Sequence, residues 1–291
     1  MTKNNIYEIV EFKNGIKMMA LLPINNTGVA EAYITIRSNP VGFSKGKSYG
    51  DLNCGGLYKK LGMESGIADF KLCCEALGIS DRSVITNRLT YFTNVVRDVN
   101  KSSLKGYDIY DEPSAPHADG LITNDPDITL FNYAADCSII MFASPKYKIV
   151  GTLHAAWKGS LAGIIESEVE QFKKKTESDI SDLIAVVCPC ISQEKFEVGE
   201  NVAQKFIEAH FEQYVDYESY EKPHVSLSGV NKEILLKCGL KPNNIFVIDD
   251  LCTVKNAELF HSYRRGPVDI NAATGKEIHQ NGQNGYFIKL I

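Results

Sequence analysis

Residues 128–154 read ITLFNYAADCSIIMFASPKYKIVGTLH, and this stretch decides the fold class. It holds three β-branched and aromatic runs, Ile128 to Ala134, Ser138 to Ala143 and Tyr147 to Leu153, each of strand length. The break at Ser144-Pro145-Lys146 is short enough to join the second and third runs as a hairpin. In a hairpin the start of the first strand lies beside the end of the second. Cys137, which opens one strand, and His154, which closes the next, are therefore expected side by side.

Beyond the hairpin, Leu161, Ile164, Ile165, Val169 and Phe172 recur at helical spacing, with Glu166, Glu170 and Lys173-Lys174-Lys175 on other faces. Leu183 to Val187 then reads as a strand. The order strand, strand, strand, helix, strand implies a sheet mixing antiparallel pairs with a helix crossover, which argues against a pure Rossmann arrangement. Further strands are expected at Ile6 to Phe12, Ala32 to Arg37, Asn244 to Ile248 and Tyr286 to Ile291. Further helices are expected around Val202 to Ala209, from Val230 to Cys238 before Gly239, and from Phe70 to Leu77 before Gly78. Lys101 to His117 reads as a long loop, a place where function often sits.

A 291-residue chain with 44% hydrophobic and 23% charged residues has the composition of a globular protein that builds its core without metals or disulfides. A net charge of −5 and a pI near 5.7 speak against a nucleic-acid partner, which needs a basic face. Glu8 and Glu11 interrupt the opening run, so it cannot be a signal-peptide core, and no run reaches the roughly 18 apolar residues of a membrane span. The expectation is a cytoplasmic protein without a membrane partner, its eight cysteines reduced. Cys73-Cys74 and Cys238 read as small buried hydrophobes. Cys188-Pro189-Cys190 lacks the two-residue spacer of the usual metal and redox motifs.

A cysteine beside a histidine has three readings: an activated nucleophile with its base, two ligands of a tetrahedral metal, or a buried pair without function. The surroundings of Cys137 and His154 favour chemistry. His154 runs through small residues and the chain's single tryptophan into Lys158, Gly159 and the helix. A strand opening into a helix N-terminus is a natural anion site, to which Lys158 adds charge. Arg264 and Arg265 suit bidentate phosphate binding or surface ion pairs, and Arg37 has the same two readings. Asp136 either orients His154 or is buried against backbone amides. Tyr133 and Phe131, at alternating positions, read as core.

The run Ala118-Asp119-Gly120-Leu121-Ile122-Thr123-Asn124, then Ala134-Ala135-Asp136-Cys137, then His154-Ala155-Ala156-Trp157-Lys158-Gly159 resembles the laccase-domain, or multicopper polyphenol oxidase, family. Its typical motifs are A-D-G-L-x-T-N, T-A-D-C and H-A-G-W-R-G. Cys188-Pro189-Cys190-Ile191 with Phe196-Glu197-Val198-Gly199 resembles the family's G-P-x-I and F-E-V-G segments. Cys252-Thr253 with Phe260-His261-Ser262-Tyr263-Arg264-Arg265 resembles C-T and F-S-Y-R-R. Ile34-Thr35-Ile36-Arg37 and Asp51-Leu52-Asn53 match weaker N-terminal motifs.

The resemblance implies one domain over residues 1–291, an α/β (α+β) fold of mixed β-sheets sandwiched between helices, related to bacterial deamidating toxins that use a Cys and a His. It also implies action on purine nucleosides: phosphorolysis of adenosine, inosine or methylthioadenosine, and deamination of adenosine. Cys137 and His154 are then the catalytic pair, with Arg37, Asn53, Lys158 and Arg264 on substrate or phosphate. Family members hold zinc with two histidines and a cysteine. Here Leu89 and Tyr91 replace the Gln and His of the Q-x-H segment, and a phenolate with pKa near 10 is a poor ligand. The metal candidates are therefore Cys137, His154 and His117. Copper chemistry on phenols is a poor match, because the histidine clusters it needs are missing. A family fold that binds a nucleoside or partner without turnover is the alternative.

Overall fold

The structure, a computed structural model, describes residues 6–37, 52–54, 64–87, 94–106, 117–266, 268–270, 277–279 and 282–291. Tyr91 and Leu89 lie outside the described residues. In chain order the strands begin with β1 (Tyr7–Glu11), β2 (Lys17–Leu21), β3 (Ala30–Thr35), β4 (Val84–Thr86), β5 (Val96–Asp98), β6 (Gly120–Thr123), β7 (Thr129–Ala134) and β8 (Ser138–Ser144). They continue with β9 (Ile149–Ala155), β10 (Ile184–Val187), β11 (Val215–Asp216), β12 (His224–Val225), β13 (Ile245–Val247), β14 (Val268–Ile270), β15 (Glu277–His279) and β16 (Asn284–Leu290). The helices are α1 (Leu22–Asn25), α2 (Glu64–Ala76), α3 (Trp157–Leu161), α4 (Ile164–Lys175), α5 (Glu200–Glu208) and α6 (Leu227–Lys237).

Two six-stranded mixed sheets organise these elements, in the orders β1-β2-β3-β16-β7-β4 and β13-β10-β8-β9-β6-β5. Side-chain alternation along each strand then sets the layers. In β8, Ile139, Met141 and Ala143 join Ile34, Leu130, Tyr286 and Ile288 of the first sheet in one buried cluster between the sheets. Ile140 and Phe142, one step out of phase, meet Val169 and Phe172 of α4, Phe206 of α5 and Ile234 of α6. The outer face of the first sheet packs Phe131 and Phe287 on Phe70 and Cys73 of α2. The result is α2, sheet, sheet, helices: mixed sheets between helical layers, as the family resemblance implied.

The hairpin forms as read, β8 pairing β9 antiparallel with Ile139 opposite His154. Its second strand starts at Ile149 and not at Tyr147, because residues 145–148 form the turn and Lys148 takes a φ of +51°. The expected helix after His154 is in fact two. Gly163, at φ +89°, breaks the short α3 from α4, so the long helix begins at Ile164. α6 is stopped by its caps: Ser226 accepts from the Gly229 amide at its start, and Gly239 takes φ +97° beyond its end. Residues 101–106 of the expected long loop form a 3-10 turn, and 107–116 lie outside the described residues. None of the described helices is long and apolar enough to cross a membrane.

Candidate active site

Asp136 sets the direction of the cysteine. It occupies the corner between β7 and β8 at φ +80°, a left-handed conformation that costs a non-glycine residue energy unless its surroundings hold it. They do hold it. Its carboxylate accepts from Thr253 Oγ1 at 2.6 Å, Ser262 Oγ at 3.0 Å and the Arg264 amide at 2.7 Å. The residue is 8% exposed. Of the two roles read for Asp136, the structure shows the buried, hydrogen-bonded one, and it binds both C-terminal motif loops to the hairpin.

His154 is oriented instead by Asp119, whose Oδ1 lies 3.2 Å from His154 Nδ1. Both side chains are essentially buried, and the backbones reinforce the pair, since the His154 amide donates to the Asp119 carbonyl at 2.7 Å. The remaining imidazole nitrogen faces the Cys137 sulfur. Burial pulls the imidazole pKa down, the Cys137 sulfur and the Asp119 carboxylate pull it up, and the balance raises it to about 9. At neutral pH His154 is thus an imidazolium, donating on both sides. Asp119 thus orients an imidazolium acid against the Cys137 sulfur.

This series opens on a cavity of about 550 Å³ lined by Tyr133, Trp157, Phe196, Tyr263, Arg264 and Gln283 among others. Its size is that of a small-molecule site. Of the other residues read for substrate, only Arg264 lines it. The Arg264 guanidinium also donates to the Glu197 carbonyl at 3.1 Å. Its neighbour Arg265 donates to the carbonyls of Thr253, Val254 and Phe260, so it braces a loop and has little left for an anion.

Arg37 donates to the Ala257 carbonyl at 2.6 Å, and its buried Nε has no partner. Asn53 is buried, its Oδ1 accepting from the Gln283 amide at 2.9 Å; it supports the cavity wall from behind. Lys158 is exposed, its ammonium 5.3 Å from the Trp157 ring centre, on a helix of five residues. His117 is exposed ahead of β6. His261 packs against Gly282, where a Cβ would collide with its ring. Phe131 is core and Tyr133 lines the cavity.

Of the family's zinc donors, Cys137 and His154 lie together. Among the described residues, no three His, Cys, Asp or Glu side chains are grouped to hold a metal ion.

Asp119 and the aromatic lining escaped sequence reasoning. Asp119 stood within a quoted motif, but nothing local marks β6 as the neighbour of β9.

The family model of the multi-copper polyphenol oxidoreductase laccases matches residues 32–279. The chain belongs to this family. Among curated relatives, the purine nucleoside phosphorylase YlmD of Bacillus subtilis is 32% identical over 149 residues, 50% of this chain and 53% of that protein. The mouse purine nucleoside phosphorylase LACC1 is 29% identical over 160 residues, 54% of this chain and 37% of that protein. The matched stretches thus span about half or less of these relatives. The solved structure of the Bacillus licheniformis hypothetical protein YfiH superposes with a TM-score of 0.80 at 23% identity, covering 99% of this chain and 100% of that one. YlmD of Geobacillus stearothermophilus gives 0.77 at 21% identity, covering 98% of each. These two likenesses concern the fold.

Proposed function

We propose that this protein is a purine nucleoside phosphorylase whose substrate binds in the cavity at Cys137 and His154. The observation that carries this reading is the Asp119–His154–Cys137 series at the end of an aromatic-lined cavity of about 550 Å³. A purine is flat and apolar on its faces, and side chains such as Trp157 and Tyr263 offer stacking surfaces. Two curated relatives named purine nucleoside phosphorylase support the choice of substrate.

In phosphorolysis a phosphate oxygen bonds to the sugar C1′ as the C1′–N9 bond breaks, and the departing base takes a proton. The His154 imidazolium is the proton donor for that step, and Asp119 holds it in the donating orientation. Arg264 stands at the cavity for phosphate. Adenosine, inosine and methylthioadenosine are the candidate substrates. Deamination of adenosine would use the same cavity, in keeping with the Cys/His pairs of the deamidating toxins whose architecture the family resemblance evoked. Zinc is the separate alternative for the same pair: Cys137 and a neutral His154 would ligate it with His117 as the third, in place of the imidazolium form; metal analysis of wild type and His117→Ala tests it.

The test is base release from each nucleoside with and without inorganic phosphate, alongside ammonia release from adenosine. Phosphate-dependent release of free base is expected. A protein that binds nucleosides without turning any over would contradict the reading and leave a binding protein of the same family.

A further inference from the structure

Gln283 lines the cavity at Cys137 and His154, and the chemistry proposed there gives it no task. Its backbone is pinned on both sides: the amide donates to Asn53 Oδ1 at 2.9 Å, and the carbonyl accepts from the Cys54 amide at 2.9 Å. The next residue anchors the start of β16. Asn284, fully buried, stands opposite Ala134, accepts from the His261 amide at 2.9 Å and donates to the carbonyls of Ala134 and His261. On the preceding side, a Cβ at Gly282 would collide with the His261 ring. Residue 283 is therefore presented to the cavity from a closely held stretch of chain, as a recognition residue requires.

With both backbone groups taken, Gln283 has its side chain left to offer. Other polar groups of the wall are already engaged: Asp136 with Thr253, Ser262 and the Arg264 amide, His154 with Asp119, and the Arg264 guanidinium in part with the Glu197 carbonyl. Gln283 is half-buried, and among the described residues its side-chain amide has no hydrogen-bond partner. Desolvating an amide without a partner is costly. A ligand edge that carries one donor and one acceptor removes that cost.

We propose that Gln283 reads the base, holding N1 and the 6-substituent of a purine nucleoside in a two-point contact. This rests on the nucleoside reading of the cavity given above. There the His154 acid serves the imidazole ring of the purine, where the C1′–N9 bond breaks, and the N1 and C6 edge of the six-membered ring is left to be recognised. In adenosine N1 accepts and the 6-amino group donates; in inosine N1–H donates and the 6-oxo group accepts. A glutamine amide carries an acceptor oxygen beside a donor NH2, and turning it over about its terminal torsion exchanges the two. One side chain thus fits both bases. Methylthioadenosine, altered only on the sugar, presents the same edge as adenosine.

The experiment measures nucleoside binding to the purified protein by isothermal titration calorimetry without phosphate, so that no phosphorolysis runs. The probes are adenosine, inosine, purine riboside, which lacks the 6-amino donor, 1-deazaadenosine, which lacks the N1 acceptor, and 7-deazaadenosine, which keeps both. Wild type should bind purine riboside and 1-deazaadenosine about ten-fold or more weaker than adenosine, because each leaves half of the amide unpaired. In Gln283→Leu, checked for folding by circular dichroism, adenosine and inosine should weaken about ten-fold or more and the gaps to those two analogues should close. The gap between adenosine and 7-deazaadenosine should be the same in both proteins. Adenosine bound as tightly by Gln283→Leu as by wild type would overturn the proposal, as would analogue gaps that persist in the variant or a 7-deazaadenosine gap that closes instead. Phosphate-dependent base release, measured in parallel, separates this reading from the one beneath it. A wild type that shows the binding gaps and releases no base upholds Gln283 and removes the phosphorylase, whereas an active phosphorylase whose gaps ignore residue 283 does the reverse. A wild type that binds no purine nucleoside removes both.

Discussion

Two buried carboxyl groups flank the β6–β9 pair, one on each face. Asp119, 1% exposed, looks toward the space between the sheets, where His154 meets it. Glu168 of α4, fully buried, lies on the opposite face, and neither of its oxygens has a hydrogen-bond partner. The strands make room for it with glycine: a Cβ at Gly151 would fall 2.3 Å from Glu168 Oε1, and one at Gly120 would fall 2.6 Å from Oε2. Desolvation in this apolar bed raises the Glu168 pKa well above its ordinary value. Burial perturbs both sides of the sheet, but only one side adds a charged partner and a cavity. That combination, and not the perturbation, marks a site of chemistry.

The two faces differ most at the cysteine. Cys137→Ala removes the sulfur that faces the His154 imidazolium and helps to raise its pKa, so it should lower phosphate-dependent base release by roughly ten-fold or more, while the fold persists. Steady-state kinetics with circular dichroism checks this, and a mutant of near wild-type activity would remove Cys137 from the mechanism.

At the next level, Asp119→Asn keeps the shape and removes the charge. It should cost on the order of 10²-fold in kcat and let the His154 pKa fall below about 9, seen by histidine NMR titration. The sign of the linked stability follows. A histidine raised in the folded state contributes stability that is full below its unfolded value near 6.5 and is lost as pH rises through about 9. Urea denaturation at several pH values should show that window flattened in Asp119→Asn.

A carboxylic acid whose pKa is raised by folding keeps a proton that the unfolded chain releases, so wild-type stability should fall by about 1.4 kcal/mol per pH unit above the unfolded pKa near 4.5. Glu168→Gln should remove that slope and leave kcat unchanged. A large loss of activity in Glu168→Gln would show that the two faces are coupled.

Much of this was legible in the sequence where contacts are local. The β8–β9 hairpin follows from alternation and one short turn, and with it the meeting of Cys137 and His154. β2, β4, β5 and β6 escaped because runs of three to five residues carry too little periodicity to separate from loop. Asp119 escaped with them, being brought to His154 by sheet order. Arg264 and Arg265 are indistinguishable side by side in a motif; only the carbonyls that collect around Arg265 separate the brace from the cavity residue. Lys158 was read onto the start of a long helix, and Gly163 places that helix further on.

The most direct test of the central claim, that substrate binds against Cys137, is the rate at which iodoacetamide alkylates each of the eight cysteines, followed by mass spectrometry with and without saturating nucleoside and phosphate. Cys137 should react first, and bound nucleoside should slow it by about ten-fold or more. A Cys137 no faster than the buried thiols, or one whose rate ignores every purine nucleoside offered, would contradict the account.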